Sequence, residues 1–480
     1  MRWRTSIDLE PREIATLPRA TRAVVLAALG LGLAAATVWS FLALGAIPGA
    51  QALTSAGGTI QPIIEATHLP PLLTAADDHL SALQYDIECA APAIELESSC
   101  DIEGTVYVRT GASASFRPLA LAVDASSGGR YAAALPADVA DSTSGFSYYA
   151  TIRDRVTGTT VTLPAGGASA PQRSLRLANP INVDLGAHHF GSAHPASAQV
   201  ASASWGNSVT DVGIEEGPQL EPIGASSFDV DATGTVTVLD EAHKRLLRFA
   251  SGAPSTPLAV PVGIRGTIAD LAARPDGGTY ILESVADPGE TPLVRGFDAA
   301  GHPNGTWHAA EPTASTLRIG ANGPQVLEYP AAQWMPIAND ARDVSATTQL
   351  AKGRSGRAVA GGREIVAQRE GDEARVAIVD QTGVVRSWRI RSATPLAEIQ
   401  LAETIGERVV LVLRTYTDTR AAFVVLVLSD RGLAHHFSID PSEWAEAAPL
   451  SRFRLVGSSL FHLGSTPTGM FVDRFDLEVH

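Results

Sequence analysis

One stretch limits the folds open to this chain more than any other: residues 228–249, Phe-Asp-Val-Asp-Ala-Thr-Gly-Thr-Val-Thr-Val-Leu-Asp-Glu-Ala-His-Lys-Arg-Leu-Leu-Arg-Phe. Runs of alternating apolar residues at 228–230, 236–239 and 246–249 read as three strands, joined by an Asp-Ala-Thr-Gly turn and a polar turn. Three such strands, with two apolar faces and open edges, cannot stand alone. Weaker copies of the same strand, turn, strand order follow at 268–283, 316–328, 363–388, 398–427 and 452–471. Gly234, Gly278, Gly323, Gly362, Gly406 and Gly457 mark their turns at spacings of roughly 40–50 residues, the period of a propeller blade. The chain is therefore expected to be mainly β, with residues 181–480 forming a six-bladed β-propeller. An outer strand from 183–190 or 200–205 would close it, because an open array leaves strand edges bare.

The residues before the propeller divide by composition. Residues 23–47 hold no ionisable side chain, a run of about 25 that can cross a hydrocarbon core of about 30 Å. Arg2, Arg4, Arg12, Arg19 and Arg22 precede the run, and no charge follows it until Glu65. The positive-inside rule then places residues 1–22 in the cytoplasm and everything after the run outside, as a single-pass membrane protein. The alternative is a signal peptide cut near Ala52, since Ala50-Gln51-Ala52 has a small-x-small pattern. Residues 48–88, with Ala, Gly, Leu and Pro70-Pro71, read as a stalk with one short helix near 73–83.

From 89 to 180 the pattern becomes strands at 105–109, 130–135, 146–153 and 160–163 between Ser/Gly turns, the reading of a small antiparallel β-sandwich. Its boundary with the propeller falls near Asn179-Pro180. Cys89 and Cys100, the two cysteines of the chain, would lie in an oxidising compartment and are expected to pair. Closing that short loop stabilises by roughly 3 kcal/mol in the chain-entropy model. Tyr148 and Tyr149 point to opposite faces of one strand, one toward the core and one outward.

Two resemblances follow from these residues. Residues 228–240 with Arg245-Leu-Leu-Arg-Phe249 resemble the NHL repeat, in which an apolar-x-Val-Asp-x-x-Gly run leads to an Asp, a polar turn, an Arg and a strand ending in Phe. The resemblance implies a propeller blade and a structural role for Asp240 and Arg245, holding the turn between strands. Residues 146–163, a Tyr-rich strand, an Arg-Asp-Arg-Val-Thr-Gly turn and a final strand, resemble the last hairpin of fibronectin type III or immunoglobulin-like modules.

Charge and motifs narrow the function. A formal net charge of −15 with no Lys/Arg cluster outside the N-terminus excludes a nucleic-acid partner. No nucleophile elbow, zinc-protease helix, phosphate loop or dinucleotide fingerprint occurs, and no cofactor is implied. His188, His189 and His194, like His435 and His436, alternate faces on a strand and make a poor metal set. Asp229, Asp270, Glu283 and Glu328 are the acids that could enter a propeller channel, but they do not recur at one position of the repeat and read as turn caps. Asn304-Gly-Thr reads as an Asn-Gly turn. Trp307 and Trp334 are candidates for a binding face on loops, with long loops at 285–292 and 328–343. The expectation is a binding or scaffold protein for a protein, peptide or cell-wall ligand. A metal-dependent hydrolase or lyase using the channel, and a sensor or assembly factor working through a membrane partner, are the alternatives.

Overall fold

A computed structural model describes residues 63–90, 101–124, 130–217, 220–251, 257–262, 268–283, 292–309, 314–320, 323–328, 332–337, 354–447 and 451–477. The strands named below are numbered in chain order, and the described residues belong to one unit spanning 48–480.

The first region is one nine-stranded sheet. It comprises β1 (Ile63–Thr67), β2 (Leu73–Thr74), β3 (Ala82–Ala90), β4 (Ile102–Arg109), β5 (Arg117–Asp124), β6 (Arg130–Ala134), β7 (Phe146–Asp154), β8 (Thr160–Leu163) and β9 (Gln172–Arg176). β5 pairs with β4 through its first half and with β6 through its second, so the sheet folds over on itself. Leu83, Tyr85 and Ala133 of one half meet Val106, Val108, Leu121, Tyr148 and Ile152 of the other in a buried core. Tyr148 is in that core, and Tyr149 stays half-buried on the outer face against Tyr107.

Residues 63–88 correct the expected stalk and helix. They carry three strands of this sheet and no helix among the described residues, because β3 finds ladder partners on both edges, β1 and β6. Residues 23–47 and Cys100, like the side chain of Cys89, lie outside the described residues. No helix among the described residues is long and apolar enough to cross a membrane.

The remainder is a six-bladed β-propeller. Two strands precede the blades, β10 (Ile181–Asp184) and β11 (Ala198–Ser204), followed by a small hairpin of β12 (Glu215–Gly217) and β13 (Leu220–Ile223). Blade 1 is β14 (Ser227–Val230), β15 (Val236–Asp240), β16 (Arg245–Phe249) and β17 (Leu258–Pro261). Blade 2 is β18 (Ile268–Ala273), β19 (Thr279–Glu283), β20 (Leu293–Phe297) and β21 (Pro303–His308). Blade 3 shows β22 (Ala314–Gly320), β23 (Gly323–Glu328) and β24 (Gln333–Pro336). Blade 4 is β25 (Arg357–Val359), β26 (Arg363–Glu370), β27 (Glu373–Asp380) and β28 (Gly383–Arg391), with β10 added in parallel as a fifth strand. Blade 5 is β29 (Leu396–Ile405), β30 (Arg408–Tyr416), β31 (Ala421–Ser429) and β32 (Gly432–Ile439). Blade 6 is β33 (Phe453–Val456), β34 (Ser459–Thr466) and β35 (Gly469–Asp476), completed by β11 on its outside. The ring closes through that antiparallel β11–β35 pair, and β33 comes back beside β14. Of the two candidate closing segments, 200–205 holds the strand that does it.

The blade turns follow from local chemistry. Asp231 Oδ1 accepts the amides of Thr233 and Thr235 at 2.8 and 2.9 Å, and Gly234 takes the left-handed conformation (φ 84°) that the turn needs. Asn304 corrects an expectation: it lies within β21, and the turn is made instead at Asp298, whose Oδ1 accepts the amides of Ala300 and His302.

Apolar clusters join blades 6 and 1, 1 and 2, 2 and 3, 4 and 5, and 5 and 6. Among the described residues no such cluster joins blades 3 and 4. Val366, Ala377 and Val379 of blade 4 are covered instead by Leu72, Leu73, Leu175 and Leu177 of the first region, with Ala332 packed at the edge. The first region is thus built into the wheel. Arg375, 3% exposed, donates to both carboxylate oxygens of Asp78 at 2.5 and 2.8 Å and to Leu73 O at 2.9 Å. Arg389 reaches Asp77 at 2.7 Å, and Gln172 Nε2 donates to Ser355 Oγ at 2.8 Å.

Candidate functional site: the charged axis

The first strand of each blade runs next to the axis, and in every blade it carries a charged side chain: Asp229, Asp270, Arg318, Arg357, Glu403 and Arg454. Three acids and three arginines in so small a space must pair or lose their charge, because burying an unpaired ion is costly.

They pair. Asp270 is fully buried and takes six donors from four blades. Its Oδ1 accepts Ser227 Oγ at 2.6 Å, Ser451 Oγ at 2.8 Å, Arg454 Nη2 at 2.8 Å and Leu271 N at 3.0 Å. Its Oδ2 accepts Leu317 N at 2.9 Å and the guanidinium of Arg318. Burial alone would raise the pKa of Asp270, but Arg318, Arg454 and the hydrogen bonds hold it below the ordinary carboxylate value. Asp229 goes the other way: burial raises it, against the pull of Arg454, whose Nε stands 3.5 Å away, and of the Ala273 amide at 2.7 Å. Arg357 pairs with Glu403 and lies 6.0 Å from the ring of Trp334. Burial, helped by Arg318, pushes its pKa down to about 9.

Register shows what the sequence pattern hid. Ser227, Asp270 and Thr316 stand opposite Leu239, Leu282 and Leu327, so they share one rung of blades 1, 2 and 3. The acids following those leucines, Asp240, Glu283 and Glu328, share the next rung and are all buried. Of the four acids singled out from the sequence, only Glu283 and Glu328 share this rung, with Asp240 as its third member; Asp229 and Asp270 stand at two other positions of the first strands. Asp240 Oδ2 accepts Arg245 Nε at 2.7 Å and pairs with His243 Nδ1 at 2.8 Å, while its Oδ1 accepts Gly213 N at 3.0 Å. Arg245 Nη2 also donates to Asp211 O at 2.6 Å, so the pair ties the incoming chain to blade 1. Glu283 pairs with Arg295 at 3.0 Å.

The other candidates fall elsewhere. Trp307 lies in β21 with its ring edge-on to Tyr280 at 5.6 Å, and Trp334 lies in β24; both are half-buried in strands and not on loops. The loop residues 285–291, 329–331 and 338–343 lie outside the described residues. His188, His189 and His194 come to rest along blade 5, where His194 N donates to Ser438 O at 2.7 Å and its ring packs on Phe437 beside His435. Burial, then His189 and His436, lower the pKa of His188. Two histidine pairs far apart in sequence thus share one surface, a proximity no local pattern announces. Among the described residues no three His, Cys, Asp or Glu side chains gather around one possible cation position.

No protein-family model and no curated protein matches the sequence. Solved structures resemble the chain at low identity. Hydrazine synthase of Kuenenia stuttgartiensis is 12% identical over 52% of this chain and 80% of that one, with a TM-score of 0.33. Virginiamycin B lyase from Staphylococcus aureus is 10% identical over 52% and 94%, with a TM-score of 0.31. A putative TolB from Agrobacterium tumefaciens is 14% identical over 52% and 90%, with a TM-score of 0.30. Likeness at this level carries no activity across.

Proposed function

We propose that this protein is an extracytoplasmic binding or scaffold protein in which a rigid propeller, braced by the first region, presents a surface to a protein, peptide or cell-wall ligand. The observation that carries this reading is the axis. Its charges are spent on each other, Asp270 alone absorbing six donors, so the place where a propeller would hold a reactive centre is used to knit blades together. Catalysis by carboxylates needs a group whose acceptor sites remain open to substrate or metal. The fixed junction through Arg375 and Asp78 supports a scaffold role, since a rigid body presents a surface at low ordering cost.

The reading includes an anchor at residues 23–47 with residues 1–22 on the cytoplasmic side, a Cys89–Cys100 disulfide, and blade 1 as an NHL-like repeat. A membrane partner for the short inner segment would make it an assembly factor.

Calorimetry of the full chain with Ca²⁺ and Zn²⁺, beside sedimentation with purified cell-wall polymer and with solubilised membrane proteins, tests it. Saturable ligand binding without a stoichiometric metal heat is expected. A 1:1 metal heat that disappears in Asp270→Asn would replace the scaffold reading with the channel hydrolase or lyase.

A further inference from the structure

The outer strands of the blades are not alike. β17 ends in Pro261, β21 begins with Pro303, and β10 carries Asp184. β32 carries His435 and His436 and is crossed by the 185–197 segment, His194 N donating to Ser438 O. Prolines and charges on a sheet edge discourage further strands from pairing there. β11 has neither: its sequence is Ala-Gln-Val-Ala-Ser-Ala-Ser. It is seven residues long, about 23 Å at the usual rise.

Over β11 and the adjoining β35 lies a groove of about 520 Å³, lined among others by Ser202 and Ser204 of β11, Gly469 and Phe471 of β35, Thr210, and Pro257 just before blade 1's outer strand. Asp211 is the charged residue in its wall. Val209 and Leu258, next in sequence to lining residues, are 71% and 63% exposed.

The molecule already adds strands to edges of this kind. β10 pairs in parallel with the outer strand of blade 4. At the top of β11, Val212 N donates to Ser204 O at 2.9 Å and Gly206 N to Val212 O at 3.0 Å, so a passing segment holds that end. Below it, among the described residues, no backbone group pairs with the edge. Trp205 N donates inward to Thr468 O while Ser204 O faces outward, and strand alternation therefore turns the backbone N–H and C=O of Ser202 outward too.

We propose that the open edge of β11 is the docking strand for an extended, non-acidic peptide segment of a partner protein, which adds as a fifth strand to blade 6. This deepens the recognition reading and rests on it. Backbone pairing supplies the attachment, and the Ser and Thr walls admit small side chains at alternate positions. Asp211 and the net charge of −15 disfavour acidic sequences.

The test pans a random decapeptide display library against the full chain and measures selected peptides on two variants. Ser202→Pro removes the outward N–H and leaves the β35 pairing groups in place; Ser202→Lys adds an edge charge at an exposed position. At least tenfold weaker binding to both variants is expected, with unchanged melting temperature and slowed exchange of the Ser202 amide in the wild-type complex. Peptides that bind wild type and variants equally overturn the rim assignment while recognition elsewhere stands. So does binding of wall polymer without any peptide, or a concentration-dependent dimer that Ser202→Lys abolishes, which would make a second copy the occupant.

Discussion

The axis and the rim of this wheel use polar groups in opposite ways. At the axis, Asp270 is enclosed by donors from four blades and has no exposed surface. At the rim, β11 offers serines and a backbone edge that no strand among the described residues pairs with, and it has no formal charge along its length. Charge here does the holding, and the uncharged edge is what remains available. If that contrast is right, damage to the axis should cost stability and spare binding, and damage to the rim should do the reverse.

Asp270→Ala should show the largest effect. It strands Arg318 and Arg454, both with little exposure, and breaking a buried ionic network from one side costs about 3–5 kcal/mol. Guanidinium denaturation checks it. A cost under about 1 kcal/mol would mean that the axis is wetter than its burial implies and that Asp270 is open to other partners.

Acid should come next, acting on two buried histidines. His462 is buried, stacked on Phe453 at 4.7 Å, and burial with Arg452 nearby lowers its pKa to about 3. In the first region His68 stacks on Tyr85 at 4.3 Å, donates from Nδ1 to Gln84 O and accepts Tyr148 OH at Nε2. Burial lowers its pKa to about 4, partly opposed by the Gln84 carbonyl. Both folded pKa values lie below the unfolded value of about 6.5, so the unfolded chain binds protons first. Stability is full above about pH 6.5 and falls as pH drops toward 4 for His68 and 3 for His462. His462→Phe should flatten the lower part of that curve in pH-dependent melting. An unchanged curve would place the acid sensitivity in carboxylates.

The brace between the two regions sharpens the comparison, because it buries charge as the axis does while lying toward the outside. Asp78→Ala leaves Arg375 with Glu373 as its carboxylate partner and should cost about 2–4 kcal/mol. Scanning calorimetry should then show the single transition splitting in two, as the first region and the wheel melt separately. One undivided transition would show that the leucines over Val366 and Val379 suffice to hold the two together.

What the sequence disclosed depends on the reach of each interaction. The strands of blade 1 were legible because alternation and an Asp/Gly turn are local signals, and Asp240 and Arg245 face each other across one hairpin. Asp270 was visible only as an acid near a strand, since Ser451 and Arg454, which define its role, lie 181 and 184 residues away. Residues 70–78 show the same reach: the run after Pro70-Pro71 is held by Gln368 and Arg375, almost 300 residues on. Even the shared rung of Asp240, Glu283 and Glu328 was masked, because blade spacings vary and only the pairing register aligns them.

The smallest effect should come from an ion pair that resembles those of the axis in chemistry and differs only in place. Arg155 Nε donates to Glu103 Oε2 at 2.8 Å, as good a distance as Arg454 makes with Asp270. Its side chain is 57% exposed, however, and water solvates both ions nearly as well when they separate. Arg155→Ala should therefore leave the denaturation midpoint unchanged within error, in low salt and in high. A clear loss in low salt that vanishes in high salt would show that surface attraction contributes here, and distance from water would no longer separate the pairs that hold this fold from those that merely decorate it.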